Sequence, residues 1–289
     1  EGERAAPVGG GVIALATGQN HSLALNTAGN VTEWGGMGTY GQTAVPPRLQ
    51  NVIAVAAGGD YWLKDSAHSV ALKSDGTVVG WGYDHDGRIV VPSGLDNVVD
   101  ISAGRSHCLA LRNDGSVVAW GYNPHGAIDP PPGLTGVVAV SAGGFHSLAL
   151  KSDGRVVAWG SQFDGEKWID ASVPAGLSDV VAVSAGRFHN LALKSDGTVS
   201  AWGYNSHGQN NVPTGLANVV AVSAGGFHSL ALKSDGTVAA WGLGDKGQTT
   251  VPPAAQGDVK LISAGIFHSL AVRQSAAYPA ITSLPRITA

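Results

Sequence analysis

The chain has a single cysteine, Cys108, in 289 residues. One thiol cannot form an intramolecular disulfide, and CxxC-type metal or redox motifs are excluded with it. Glutamate is also scarce, with only Glu1, Glu3, Glu33 and Glu166, so a paired-carboxylate glycosidase site would have to draw mainly on aspartate. Charged residues make up 13% of the chain, balance to a net charge of −4 and form no basic run. Nucleic acid and anionic membranes call for a positive stripe, and none is visible. No apolar stretch approaches the roughly 18 residues that span a bilayer. A GxSxG elbow, an HExxH pair and a phosphate loop are likewise missing. On this reading no catalytic residue, cofactor or metal is assigned.

Glycine, in contrast, is plentiful at 42 residues, which suits many short strands joined by tight turns. The dominant signal is repetition. Residues 137–154, VVAVSAGGFHSLALKSDG, recur letter for letter at 219–236, and looser copies surround a histidine at positions 21, 68, 107, 146, 189, 228 and 268. The spacings between these histidines are 47, 39, 39, 43, 39 and 40 residues. Seven units near forty residues predict an all-β fold, a seven-bladed β-propeller with one four-stranded blade per copy.

Residues 180–213 illustrate the unit. Strand A, Val180 to Ala185, ends at Gly186, and strand B runs from His189 to Lys194. Ser195-Asp196-Gly197-Thr198 makes a tight hairpin, with glycine supplying the positive φ. Strand C, Val199 to Trp202, stops at Gly203, and a loop leads to a short outer strand D ending in Val212-Pro213, where proline is tolerated. The expected organisation is a tail over 1–10, the propeller over 11–276 and a second tail over 277–289. Only six Trp-Gly pairs accompany the seven A–B pairs, and the last copy loses its Asp-Gly turn. Two alternatives stay open there: Ala280 to Leu284 forms a degenerate strand C, or the stretch links to a further domain. The opening Glu1-Gly2-Glu3-Arg4, without Met, reads as a processed or trimmed product.

The unit A-G-G-F-H-S-L-A-L-K-S-D-G-T-V-x-A-W-G resembles the short bacterial form of the regulator-of-chromosome-condensation repeat over about residues 11–273. With phrases such as Gly247-Gln248-Thr249-Thr250-Val251-Pro252, it is also similar to secreted bacterial β-lactamase inhibitors built on such repeats. The nuclear exchange-factor branch is a poorer match, having longer repeats and a basic N-terminal tail. The resemblance implies a secreted or cell-surface bacterial protein. It also implies that aromatic residues on one propeller face cap a protein partner, which marks Phe145, Phe188, Phe227 and Phe267 by position. Asn20 and Ser106 stand where phenylalanine occurs in those copies, so the particular target does not transfer.

Antiparallel blades place the A–B and C–D loops on one face of the disc and the B–C and D–A turns on the other. The B–C turns are nearly uniform, so variation concentrates on the first face. Copy two inserts about eight residues carrying Tyr61 and Trp62, and copy four adds the neighbourhood of Trp168; these are the tryptophans outside the Trp-Gly motif. Exposed loop tryptophans suit binding hot spots, though each could instead plug its own loop. Arg105 and Arg187 in the A–B loops, and Tyr83, Tyr122 and Tyr204 after the Trp-Gly pairs, join the candidate partner-binding set.

The seven repeated histidines read as structural, each satisfying a loop carbonyl beside a glycine bend. His85, His125 and His207 form a second set in C–D loops, solvated by default, with weak metal binding or acid–base work as the alternative. Cys108 replaces the serine of His-Ser-Leu-Ala-Leu and reads as a small strand residue. The expectation is a monomeric, non-catalytic module that binds a protein, as an enzyme inhibitor or adhesion module. A carbohydrate-binding module and an enzyme with a His/Asp site at the channel mouth are the alternatives.

Overall fold

The structure is a computed structural model and describes residues 11–35, 44–59, 67–84 and 86–273. Seven sheets follow one another along the chain, one per repeat histidine. The first three are β1 (Val12–Thr17), β2 (His21–Asn26) and β3 (Val31–Gly35); β4 (Val52–Gly58), β5 (His68–Lys73) and β6 (Val78–Gly82); and β7 (Val98–Ala103), β8 (His107–Arg112) and β9 (Val117–Gly121). The fourth has four strands: β10 (Val137–Ala142), β11 (His146–Lys151), β12 (Val156–Phe163) and β13 (Trp168–Asp170). Then come β14 (Val180–Ala185), β15 (His189–Lys194) and β16 (Val199–Gly203), followed by β17 (Val219–Ala224), β18 (His228–Lys233) and β19 (Val238–Gly242). The last sheet comprises β20 (Val259–Ala264) and β21 (Ser269–Arg273). The chain is thus an all-β, seven-bladed propeller. Among the described residues no helix is long and apolar enough to cross a membrane.

The hairpin between strands B and C follows from its sequence. In Ser-Asp-Gly-Thr the Asp235 carboxylate accepts bonds from the Thr237 N–H at 2.9 Å and hydroxyl at 2.6 Å, while Gly236 takes φ +79°. The same Asx-type turn recurs at Asp75 and Asp196. Strand B is buried on both faces in six blades, which explains its unbroken run of small and aliphatic residues, because neighbouring blades cover it from either side.

The fourth strand needs correction. Among the described residues only blade 4 adds one to its sheet; the other D segments run as turns toward the next blade. Their carbonyls are taken by that blade's tryptophan and strand-B hydroxyl, as when Gln209 O accepts from Trp241 Nε1 at 2.8 Å and Ser229 Oγ at 2.9 Å. Ala127 O serves Trp159 and Ser147 in the same way. The Trp-Gly motif is therefore an inter-blade fastener. Trp241→Phe removes the indole N–H and leaves part of the buried ring space empty while keeping the serine bond, so its cost is expected to be about 2 kcal/mol, read as a fall in Tm of roughly 4–8 °C.

The repeat histidines lie in the same seams. Their Nε2 atoms pair with the strand-B serine or asparagine of the following blade at 2.7 to 3.0 Å: His21 with Ser69, His107 with Ser147, His146 with Asn190, His189 with Ser229 and His228 with Ser269. His268 meets Ser22 at 3.0 Å and so closes the circle from blade 7 to blade 1. A second girdle uses strand-A serines, such as Ser184 Oγ accepting from Ala224 N, and closes through Thr17 and Ser263. Leu15, Ala24 and Leu261 pack across the closing seam. Closure among the described residues is thus by sheet packing and hydroxyl–imidazole pairs. The strand proposed at Ala280 to Leu284 lies outside the described residues, as do both tails of the expected organisation, 1–10 and 277–289.

Candidate binding face

The A–B bends surround one mouth of the central channel, which Gln19, Gly59, Arg105, Gly144, Arg187 and Gly226 help to line. Backbone bonds between successive bends hold that rim together, with Arg105 N reaching Gly143 O at 3.1 Å and Arg187 N reaching Gly225 O at 3.2 Å. Each bend is also clamped to the start of its own C–D loop. Phe188 O accepts from Tyr204 N, and Phe145 O from Ser161 N, both at 2.9 Å. These clamps bring the residue before each repeat histidine beside the residue after each Trp-Gly pair, on one face.

Trp168 arrives there through a hairpin rather than a loop. Strand β12 extends past its glycine to Phe163 and pairs with β13, placing Phe163 opposite Trp168. Asp164 shapes the turn by accepting from the Glu166 and Lys167 N–H groups at 2.8 and 2.9 Å. Those bonds hold its carboxyl below the usual carboxylate range. Trp168 then stacks on His125 of the preceding blade, with centroids 4.5 Å apart, and meets Phe145 edge-on at 4.6 Å. It is still 41% exposed, so it neither plugs its own loop nor stands isolated.

Ring contacts continue across three blades. Phe163 and Phe188 lie 6.2 Å apart, Phe188 and Tyr204 6.0 Å, Phe188 and Phe227 6.0 Å, and His207 and Phe227 5.1 Å. Guanidinium groups cover the channel side of the layer: Arg105 is 4.0 Å from the Phe145 centroid, and Arg187 is 5.0 Å from Phe188 and 5.7 Å from Phe227. Such stacking fixes the plane of each cation against its ring, and Arg187 is buried there.

The structure therefore gathers Phe145, Trp168, Phe188, Phe227, Tyr204, Arg105 and Arg187 into one layer, in which Phe145 and Arg187 are buried and Trp168 is exposed. Phe267 holds the corresponding place in blade 7 and is half-buried, one blade beyond the ring contacts described. Tyr83 lies beside Arg88, 5.9 Å from ring to cation, and Tyr122 is 46% exposed in blade 3. Tyr61, Trp62 and His85 lie outside the described residues.

Three participants escaped sequence reasoning. Phe163 is the third residue beyond Gly160 in the longer copy, and its signal was the lengthened spacing to the next histidine. Arg88 is fully buried, is ion-paired to Asp86, and offers its carbonyl to Trp120 Nε1 at 3.0 Å. Glu33 stands where the other copies have glycine or alanine, and its carboxylate accepts from Trp81 at 2.7 Å and Ser69 at 3.1 Å. Burial raises the Glu33 pKa to about 7 against those bonds.

The groups considered for chemistry are otherwise engaged. His125 lies under Trp168, and burial together with Arg105 lowers its pKa. His207 Nδ1 is 2.7 Å from Ser206 Oγ. Burial pushes the Cys108 thiol far up, away from thiolate reactivity. Among the described residues no three of His, Cys, Asp and Glu come close enough together to hold a metal.

Fold and face together define a repeat propeller with an aromatic–arginine surface at its channel mouth. Four segments, 98–127, 137–166, 180–209 and 219–248, match the regulator of chromosome condensation (RCC1) repeat. The chain is a seven-bladed propeller of RCC1-like repeats. The structure of Prp20p from Saccharomyces cerevisiae superposes with a TM-score of 0.71 at 21% identity, covering 92% of this chain and 83% of that one. The ectodomain of the Physcomitrella patens receptor kinase CR4 gives 0.71 at 22% identity, over 93% of this chain and 72% of that one. In sequence, human RCC1 domain-containing protein 1 is 34% identical over 92 residues, which is 27% of this chain and 22% of that protein.

Proposed function

We propose that this chain is a non-catalytic propeller that engages a protein partner through the A–B and C–D loop face, centred on blades 4 to 6. The observation that carries this reading is the unbroken ring layer from His125 to Phe227, with Trp168 41% exposed in its midst. A core fold does not need that side chain outside. At an interface it removes much apolar area from water at little cost in rotamer entropy. Use of this fold for protein binding has precedent in the structural relatives: one study concerns the binding of Prp20p to Gsp1p and histones, and another shows Kap60 bound to yeast RCC1. The resemblance to secreted inhibitor repeats supports a place outside a bacterial cell, secreted or on its surface, as an enzyme inhibitor or adhesion module.

The test is affinity capture from culture fluid and surface extract, comparing the wild-type chain with a Trp168→Ala, Phe188→Ala double variant. Partners retained by the wild type should fall at least 10-fold with the variant, since two central hot-spot truncations cost about 2 kcal/mol or more. Equal recovery of the same partners would sink the assignment. A carbohydrate ligand is the second reading, favoured by the flat, exposed Trp168 ring as a sugar platform; binding across a glycan array that depends on Trp168 would replace the first.

A further inference from the structure

The opposite mouth of the channel, on the B–C and D–A face, is rimmed by apolar side chains. Strand A begins there, and its second residue in the first six blades is Ile13, Ile53, Val99, Val138, Val181 or Val220. All of these but Ile13 are between 36% and 53% exposed, and Ile13, Ile53, Val99 and Val138 line the opening itself. In the seventh blade the place falls to Lys260. The backbone sets this display. In every blade the ladder between strands A and B skips this residue, as between Val98 and Asp100 or Val219 and Ala221. A bulge of that kind leaves one residue unpaired and re-aims its side chain. The core does not call for it, because the first and fourth residues already face inward: Val219 and Val222 are both buried. A ring of exposed β-branched groups on a folded chain marks an interface.

The charges around the ring select its occupant. The turns on this face hold both signs side by side: Lys73 with Asp75 at 2.8 Å, Lys194 with Asp196 at 3.8 Å and Lys233 with Asp235 at 3.1 Å. Arg273 and Asp258 add a further pair at 3.6 Å. A strongly basic or acidic partner, or an anionic membrane, meets repulsion as well as attraction all round such a margin. A second copy of the same face does not. Turned over about a twofold axis, it sets cations against carboxylates in both directions while the two apolar rings meet.

We infer that two copies of this chain associate through this face, ring against ring, as a twofold dimer in place of the monomer expected from the sequence. Val99 and Val220 lie in its apolar centre, and the Lys–Asp turns form its polar margin. The aromatic faces of the two copies then point in opposite directions, so that one dimer presents two binding sites at once. The dimer rests on residues apart from those of the protein-binding reading and stands or falls separately from it.

Sedimentation equilibrium of the full chain over a concentration series tests this. The mass should approach twice the chain's 29.2 kDa. Val99→Asp, Val220→Asp should raise the dissociation constant about 10-fold or more, because each copy would carry two carboxylates into the apolar ring. Both positions lie outside the strand ladder and are 53% exposed, so the blades are spared. Val99→Thr, Val220→Thr keeps the side-chain shape and should weaken the dimer in the same direction by a smaller factor, which keeps the test valid if the aspartate variant folds poorly. Trp168→Ala, Phe188→Ala should leave the mass unchanged. A wild-type chain that stays at 29.2 kDa up to about 100 μM, or a dimer untouched by both changes at positions 99 and 220, overturns the inference. So does a dimer lost with the aromatic variant, which would move the contact to the other face. A monomer that co-sediments with phosphatidylcholine vesicles through Val99 and Val220 likewise overturns it and gives the ring to a membrane.

Discussion

Acidification from pH 7 to pH 5 is expected to strip away most of the protein's stability, well before its turn carboxylates titrate. Burial lowers the pKa of His21, His146 and His228 to about 4 and that of His107 and His189 to about 3. The rings are therefore neutral in the seams, where each Nε2 already has a partner. In the unfolded chain the same groups take up protons near pH 6.5. Above pH 7 neither state binds them and stability is level. Below 6.5 the unfolded state gains protons that the folded state refuses, so stability falls with pH until the folded values near 4 are reached. Each histidine contributes about 1 kcal/mol per pH unit in that window. Five acting together remove on the order of 5 kcal/mol per unit, against a total of about 5–15 kcal/mol for a domain.

Two features bear on that figure. Neighbouring seam rings interact, as His107 does with His146 and His189 with His228, so charging one disfavours charging the next and keeps the folded rings neutral to lower pH. Glu33 works in the opposite sense. Its raised folded pKa contributes stability that is fully present below about 4.5 and lost as pH rises toward 7. It lies 3.6 Å from His21, and the two shifts agree on a neutral pair in the window. One carboxyl offsets one histidine, and the others prevail. A thermal-melt series from pH 8 to 4.5 checks this: Tm should be flat above pH 7 and fall steeply below 6.5. A Tm unchanged down to pH 5 would show that the seam rings charge without cost.

The second large effect is expected from one methyl group. Gly104→Ala should prevent folding or lower stability by about 4 kcal/mol or more, the range reserved for severe packing conflicts. A Cβ there would lie 2.3 Å from the Gly143 carbonyl oxygen of the next blade and 2.9 Å from His107 Cε1. That carbonyl is fixed by its bond to Arg105 N, so it cannot retreat without breaking the rim. The demand is for space between blades, not for unusual backbone torsion. Gly133 is the contrasting control, with φ +78° and nothing within 4 Å of an added Cβ; Gly133→Ala should cost only about 1 kcal/mol. Urea unfolding of both variants decides it, and equal midpoints would refute the close-approach account.

These contrasts show what the linear sequence exposed. Blade number was legible because most copies state their turn locally: Asp-Gly between two apolar runs has a single good solution, as at Asp75, Asp196 and Asp235. The D segment was misread because its fate is decided outside its own repeat. Val212-Pro213 looks like an edge strand, but the carbonyl of Gln209 is claimed by Trp241 and Ser229 of the next blade. His125 and His207 drew attention as possible acids and bases. Their rings instead serve as plates against Trp168 and Phe227, a role fixed by spatial neighbours that spacing cannot reveal. Trp168 was legible as an outlier, whereas its hairpin with Phe163 was not, since three residues of pairing leave little alternation to read.

The seam between the last and first blades carries the same kinds of fastener as those inside the chain: His268 with Ser22, Thr17 with Ser263, and leucines packed between sheets. In these three fastenings the closing seam matches the internal ones. Residue order around the disc is a matter of connectivity alone, so a circularly permuted gene opening in the turn at Asp153–Gly154 and joined across the present ends should rebuild the same ring.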